Sequence, residues 1–364
     1  MRLLFVIYGS LKQISGGYLY DRKVVEFLKE RGVEVDCLEL PPCAYLLSPL
    51  HLFYSPLRRL FGSSPSGDYD CIIIDELTHP SVFIPLARRR RPGVPVVVLL
   101  HHLKIQERIG FFLKVAARWM ERSLLRHCDR IIVNSRTTRD SVGELIHSKE
   151  GIYVCPPGSD TLDQSVEAEE TGNREPAQDA RQGPVRLLIT GNIIPRKGHD
   201  LLIRMLAALA DLSWELQVVG AVVDPRYKRR LDRMARRFAL EDRIIYTGVL
   251  SGRALSRQYL EADVFVFPSC YEGFGISLAE AIRAGLPFVA FASGAIPEVS
   301  GGRGLLAGEG DLGSFQEHLR RLISDSSFRE RTAELSRTVA ADLPTWQQTG
   351  ERFLRAIREI VQKE

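Results

Sequence analysis

Between Ala262 and Phe291 the chain passes from one apolar, β-branched and aromatic run (Ala262–Phe267) to another (Leu286–Phe291) through a glycine-marked turn and a short helical stretch. Two such runs, joined by roughly three turns of helix, satisfy what parallel strands buried on both faces require, because a parallel pair needs a crossover connection. The segment therefore predicts an α/β sheet, and it places Glu272-Gly273-Phe274-Gly275-Ile276 where a strand ends and a helix begins. At such a crossing the first-turn amides lack intrahelical acceptors, the helix dipole presents its positive end, and glycine lets an anion approach closely.

The same alternation runs through the chain. Strand-like segments at Leu3–Tyr8, Val33–Leu38, Cys71–Ile74, Val94–Leu100 and Ile131–Asn134 alternate with helical stretches, including one near Tyr18–Lys29 and one ending at His127. After an interruption the pattern restarts with Val185–Thr190, a helix from Gly198 to Leu209, Trp214–Val219, a helix after Pro225, and Arg243–Thr247. This is the signature of parallel sheets with helices on both faces. The interruption, rich in Glu, Gln, Asp, Gly and Thr, is poor in large apolar residues and reads as a linker. The expected organisation is a first domain over residues 1–160, a linker or flexible loop over 161–184, a second domain over 185–342, and a terminal helical segment over 343–364.

Length and composition fit two cores, since 364 residues with 45% hydrophobic content exceed what one domain of ordinary size needs. No window approaches the ~18 continuous apolar residues of a membrane span, and Met1 leads directly into strand-like RLLFVIY, so the expectation is a cytoplasmic protein. The six cysteines form no Cys-x-x-Cys pair, which points to reduced packing residues rather than structural zinc. A net charge of +4 is modest, but cations cluster at Arg88–Arg91 and from Arg226 through Lys228, Arg229, Arg230, Arg233, Arg236 and Arg237. Such runs are ordinarily solvated; the functional alternative is attraction to polyphosphate or to anionic lipid, the latter as peripheral contact with an anionic membrane, while no nucleic-acid partner is expected because no reading helix or stacking module accompanies the charge. Leu46–Phe61 and Phe111–Arg126 are the two segments amphipathic enough for a membrane surface, or for ordinary packing.

Several residues carry candidate chemistry. Glu272 can accept hydrogen bonds from sugar hydroxyls, and Glu280, about two turns into its helix, can grip a ribose diol. A glutamate near a helix start is also what the dipole alone favours. After Val185–Thr190 comes Gly191-Asn192-Ile193-Ile194-Pro195-Arg196-Lys197-Gly198, which brings two cations to a helix start and so forms a candidate diphosphate clamp. Gly16 and Gly17 follow the opening strand and precede a helix; a tight turn would use them equally. His101 and His102 close the strand Val94–Leu100, at the carboxyl edge where ligands bind in open α/β sheets. Asp68-Tyr69-Asp70 precedes a buried strand instead of following one, which argues against a metal site there.

Taken together, the segment with Glu272, seven intervening residues and Glu280 around Gly-Phe-Gly resembles the signature of glycosyltransferase family 4, retaining enzymes of the GT-B fold. Lys197 matches that family's phosphate-binding lysine, whereas the arginine usual five residues earlier is Asn192 here, with Arg196 the available substitute. The resemblance implies two facing Rossmann-like domains with a cleft between them, the first on the acceptor side, the second on the donor side, and the last helix crossing back to the first domain. It implies a donor site of Gly16, Gly17, Asn192, Arg196, Lys197, Gly273, Phe274, Gly275, Ile276 and Glu280, with Glu272, His101, His102, Arg196 and Lys197 serving catalysis. It further implies metal-independent transfer, with no cofactor, from a nucleotide sugar to a hydroxyl of a glycan, a lipid-linked sugar or a small molecule, with retained anomeric configuration. A nucleotide-sugar epimerase of the same fold and a non-catalytic nucleotide-sugar binding protein are the alternatives. Donor base, donor sugar and acceptor are not encoded in motif spacing.

Overall fold

Every strand-to-strand pairing among the described residues is parallel, and the strands form two sheets of six. The structure, a computed structural model, describes residues 1–61, 69–88, 93–107, 109–163 and 183–363. The linker expected over 161–184 therefore lies almost wholly outside the described residues, as do 89–91 of the first arginine run and Asp68. The chain divides into two compact units, Met1–Pro157 with Trp346–Glu364, and Gly158–Thr345.

Unit 1 contains β1 (Arg2–Tyr8), β2 (Glu34–Leu40), β3 (Cys71–Asp75), β4 (Val96–Leu100), β5 (Arg130–Val133) and β6 (Ile152–Val154), in the spatial order β2-β1-β3-β4-β5-β6. Period-two side-chain alternation buries both faces. Leu4, Val6, Ile72, Ile74, Val96 and Val98 pack toward the helices His79–Ala87, Phe111–His127 and Arg136–Ile146. Leu3, Phe5, Ile73, Val97 and Leu99 pack toward the helix Gly16–Glu30 and the terminal helix Trp346–Lys363, which supplies Phe353, Ile357 and Ile360. Gly350 is where the terminal helix meets Phe27, whose ring would stand 2.3 Å from any added Cβ.

Unit 2 contains β7 (Val185–Thr190), β8 (Trp214–Val219), β9 (Ile244–Gly248), β10 (Val264–Phe267), β11 (Phe288–Phe291) and β12 (Leu305–Ala307), ordered β12-β11-β10-β7-β8-β9. Here too alternate residues serve opposite cores: Leu187, Ile189, Val264 and Val266 on one face, Leu188, Phe265 and Phe267 on the other. The three-residue edge strands β6 and β12, and the 3-10 helix Tyr45–Phe53, carry too little periodicity to be read from sequence.

Strand order determines where a ligand can bind. In unit 2, β7 leads to β8 and β9 on one side while β10 starts the return on its other side, so the loops after β7 and β10 lie side by side at a topological switch point. In unit 1 the corresponding reversal separates β1 from β3, with β4 next in line. Among the described residues no helix is long and apolar enough to cross a membrane.

Candidate active site

The switch point of unit 2 joins the two motifs that the sequence kept 75 residues apart. Lys197 Nζ donates to Glu272 Oε1 at 2.8 Å, and Arg196 NH1 lies 3.1 Å from the same oxygen while donating to the Tyr271 carbonyl at 2.7 Å. The backbone fixes this register: the Cys270 N–H donates to the Arg196 carbonyl, and the Ala295 N–H to the Glu272 carbonyl. Close approach requires glycine at Gly198, where φ is +69° and an added Cβ would stand 2.1 Å from the Pro268 carbonyl oxygen.

Burial by itself would raise the Glu272 carboxyl, but the Lys197 ammonium and the Arg196 guanidinium outweigh it and hold the group at about 2. Lys197 is pushed below the usual lysine range by burial, against the opposing pull of Glu272. Two cations share one carboxylate, which leaves a net positive charge at the strand ends.

Helix starts reinforce that charge. The helices Pro225–Arg237, Leu312–Ser324 and Ser326–Ala340 begin at Asp224, Asp311 and Asp325, whose side chains accept from first-turn amides. The two helices that follow the switch-point loops, His199–Ala207 and Ile276–Arg283, begin instead at Gly198 and Gly275, both in left-handed conformation and with no side-chain cap. The Asp200 amide of the first donates to the Tyr227 hydroxyl at 3.1 Å and the Leu278 amide of the second to the Gly275 carbonyl, while the Ile276 amide faces no capping side chain and can meet an external acceptor. Phe274 contributes backbone only, since its ring is buried in the core, and Gly273 is buried beside it. Asn192 sits partly exposed in the loop after β7.

Glu280 occupies a different part of the same edge. Its buried carboxylate accepts from the Tyr259 hydroxyl at 2.8 Å, and that hydroxyl is 2.8 Å from Thr190 Oγ1 at the end of β7. Burial raises the Glu280 carboxyl, with the bonds from Tyr259 and Thr161 opposing. Thr190 adjoins Gly191, which closes on Lys197: an added Cβ there would stand 3.1 Å from Lys197 Cε. Lys197 and Glu272 are thus in contact, while Glu280 reaches their neighbourhood through Tyr259 and Thr190. Sequence reading missed Tyr259 and Thr190 because neither belongs to a motif.

In unit 1 the strand ends hold an inverse arrangement. His101 Nε2 is 3.0 Å from Asp21 Oδ1 and 3.6 Å from Asp75 Oδ2, and all three residues are buried. Burial would lower the imidazole, but Asp21, with Glu76 and Asp75, raises it to about 9. Burial and the nearby Asp21 charge push Asp75 well above the carboxylate range. Tyr20 meets the imidazole edge-on at 5.2 Å between centroids. Gly16 and Gly17 form the first helical turn rather than a loop, capped by Ser15, and an added Cβ at Gly17 would stand 3.0 Å from His101 Cδ2. His102 has Nδ1 2.9 Å from Glu76 and Nε2 2.8 Å from Glu107, so both ring nitrogens are committed to carboxylates. Glu76 also accepts from the His101 and His102 backbone amides. Asp21, Asp75 and His101 offer two oxygens and a nitrogen within 4.8 Å of one another, the one group of metal-ligating type among the described residues. Sequence reading missed Asp21, Asp75 and Glu76; the signals in the chain are a lone carboxylate on the apolar stripe of Tyr20, Val24, Val25 and Leu28, and two acids directly after the apolar run Cys71–Ile74.

The comparisons with known proteins agree with this architecture. The family described as glycosyl transferases group 1 matches residues 173–339, and the glycosyl transferase 4-like domain matches residues 15–158. A GDP-mannose-dependent alpha-(1-6)-phosphatidylinositol monomannoside mannosyltransferase of Mycolicibacterium smegmatis is 26% identical over 319 residues, covering 85% of this chain and 80% of the relative. A D-inositol 3-phosphate glycosyltransferase of Thermomonospora curvata is 27% identical over 387 residues, covering 93% and 89%. Among solved structures, sucrose-phosphate synthase of Thermosynechococcus elongatus superposes with a TM-score of 0.79 at 20% identity, and Anabaena HepE in complex with UDP and glucose with 0.73 at 18%, each pair covering 99% or more of both chains. Two parallel six-stranded sheets with their flanking helices are the GT-B fold of those structures, and this chain belongs to the family 4 glycosyltransferases.

Proposed function

We propose that this glycosyltransferase moves a hexosyl group from a nucleotide-sugar donor to an acceptor hydroxyl with retention of anomeric configuration and without a metal. The observation that carries this reading is the net positive cluster of Lys197, Arg196 and Glu272 beside two helix starts that have no side-chain cap. In it, the leaving diphosphate takes the electron pair of the breaking anomeric C–O bond, and Lys197, Arg196 and the amides near Gly275 and Ile276 stabilise its charge. Arg196 stands in for the arginine that Asn192 replaces.

Glu272 orients both cations and the transferred sugar, and Glu280 with Tyr259 meets the nucleotide ribose. The acceptor oxygen bonds to the anomeric carbon on the face the diphosphate leaves, and its proton passes to the departing phosphate oxygen. In unit 1 the histidine that meets the sugar is His101, because His102 would first have to break a carboxylate contact. The inward bond to Asp21 fixes the His101 ring, leaving the imidazole to meet a sugar hydroxyl.

The mannosyltransferase names of two relatives and the UDP and glucose bound to HepE favour a hexose, and the phosphatidylinositol monomannoside in one relative's name favours a sugar- or lipid-linked acceptor. Peripheral contact with an anionic membrane belongs to the same reading. The test is product analysis by NMR after incubation with UDP-, GDP- and ADP-hexoses and candidate acceptors. Retained configuration in metal-free buffer is expected; an inverted product, or turnover abolished by chelator, contradicts it.

A further inference from the structure

Unit 1 carries a second surface that the transfer chemistry does not use. The helix Phe111–His127 turns Phe111, Phe112, Val115 and Trp119 outward, Phe112 with 88% of its surface exposed. The 3-10 helix Tyr45–Phe53 does the same with Leu46, Leu47, Leu50 and Phe53, the last 72% exposed. Both lie against the helix His79–Ala87. Tyr45 is hydrogen-bonded to His79, His51 to Ser81, and Trp119 meets Phe83 edge-on at 5.0 Å. Eight large apolar side chains on neighbouring elements exceed the scattered exposure expected of a solvated surface.

The charges around them have one sign. Lys114, Arg118 and Arg126 on the first helix, and Arg58 and Arg59 just beyond the second, are exposed and make no ion pair with another described residue. No carboxylate occurs from Pro41 to Phe61, and the one within Phe111–His127, Glu121, is buried and occupied by the Lys104 and Ile105 amides. A symmetric contact between two copies would bring these like-charged rims together, which argues against self-association. Apolar and aromatic side chains rimmed by unpaired cations match the interface of an anionic bilayer, where rings and aliphatic groups enter the headgroup boundary and cations meet phosphates.

We propose that these two segments form a docking face for anionic phospholipid membranes. This inference deepens the membrane contact in the reading above but needs no part of its transfer chemistry. The test is co-sedimentation with phosphatidylcholine vesicles with and without phosphatidylglycerol, together with Trp119 emission. Wild-type protein is expected to bind only the anionic vesicles, with a blue shift, and salt weakens that binding. The pair Phe111→Ser and Phe112→Ser, and separately Lys114→Glu and Arg118→Glu, weaken it at least tenfold, while melting temperature and donor turnover in vesicle-free buffer stay unchanged.

Absence of wild-type binding to either vesicle overturns the proposal. So does equal binding to neutral vesicles, or a concentration-dependent dimer that the phenylalanine pair abolishes. Failure of the face leaves the diphosphate cluster intact, and failure of transfer leaves vesicle binding intact.

Discussion

At the strand ends of unit 2 a buried carboxylate, Glu272, is held by two cations, whereas at the strand ends of unit 1 a buried imidazole, His101, is held by two carboxylates. Both clusters occupy the carboxyl edge of a parallel sheet, at or beside its switch point, so topology alone does not distinguish them. Charge does. The unit 2 cluster keeps a cation in excess beside helix starts without side-chain caps and so suits an anion that appears during bond breaking. The unit 1 cluster sets the imidazole against two inward-facing acids, Asp21 and Asp75, the second held well above the carboxylate range, and so orients the ring and holds its proton. In the proposed reading, the same scaffold position supplies an anion receptor in one unit and a fixed hydrogen-bonding ring in the other.

The largest effect expected from breaking this contrast is in Lys197→Ala, which removes a cation without disturbing the fold's apolar core. Turnover should fall by about 10²–10³, the scale for losing one transition-state donor, as read by initial-rate transfer assays. A loss below threefold would place the leaving group elsewhere. Next is His101→Ala, with a drop of about 10- to 100-fold, the range for a hydrogen bond to a charged group. Asp21→Asn should retain the ring but shift the alkaline limb of the pH–rate profile downward; an unmoved limb would reduce Asp21 to a packing role.

The two clusters should also fail at opposite ends of the pH scale. His101 is raised from 6.5 to about 9, so its stabilisation is complete below pH 6.5 and is lost as pH rises through about 9. Glu272 is lowered from 4.5 to about 2, so its stabilisation is present above pH 4.5 and is lost as pH falls through about 2. Melting temperatures of wild type, His101→Gln and Glu272→Gln across pH should show the first gap closing in alkali and the second in acid. Gaps that close at the same end would refute the charge assignment. The smallest effect expected is Tyr259→Phe, which removes the hydroxyl bonded to buried Glu280 and should cost about 1–3 kcal/mol in denaturant unfolding.

Much of this was legible in the chain before any fold. Within the two runs, Val264–Phe267 and Phe288–Phe291 are apolar on both faces, as strands of a parallel sheet covered on both sides are, so β10 and β11 followed from the pattern. Gly-Phe-Gly and Arg196-Lys197-Gly198 were readable because glycine marks helix starts where anions bind. The partners of those residues were not, because they come from elements far away in sequence. Asp21 lies 80 residues from His101, and Tyr259 lies 69 from Thr190, and only the strand order brings them together. His102 shows the limit most clearly: beside His101 at a strand end it reads as equally available, yet Glu76 and Glu107 take both its nitrogens.

The most direct test is calorimetric titration of a nucleoside diphosphate into wild type and Lys197→Ala. Binding should be weakened at least tenfold in the variant, with a wild-type affinity that falls as salt rises. Equal affinity in the two proteins, at any salt, would contradict it.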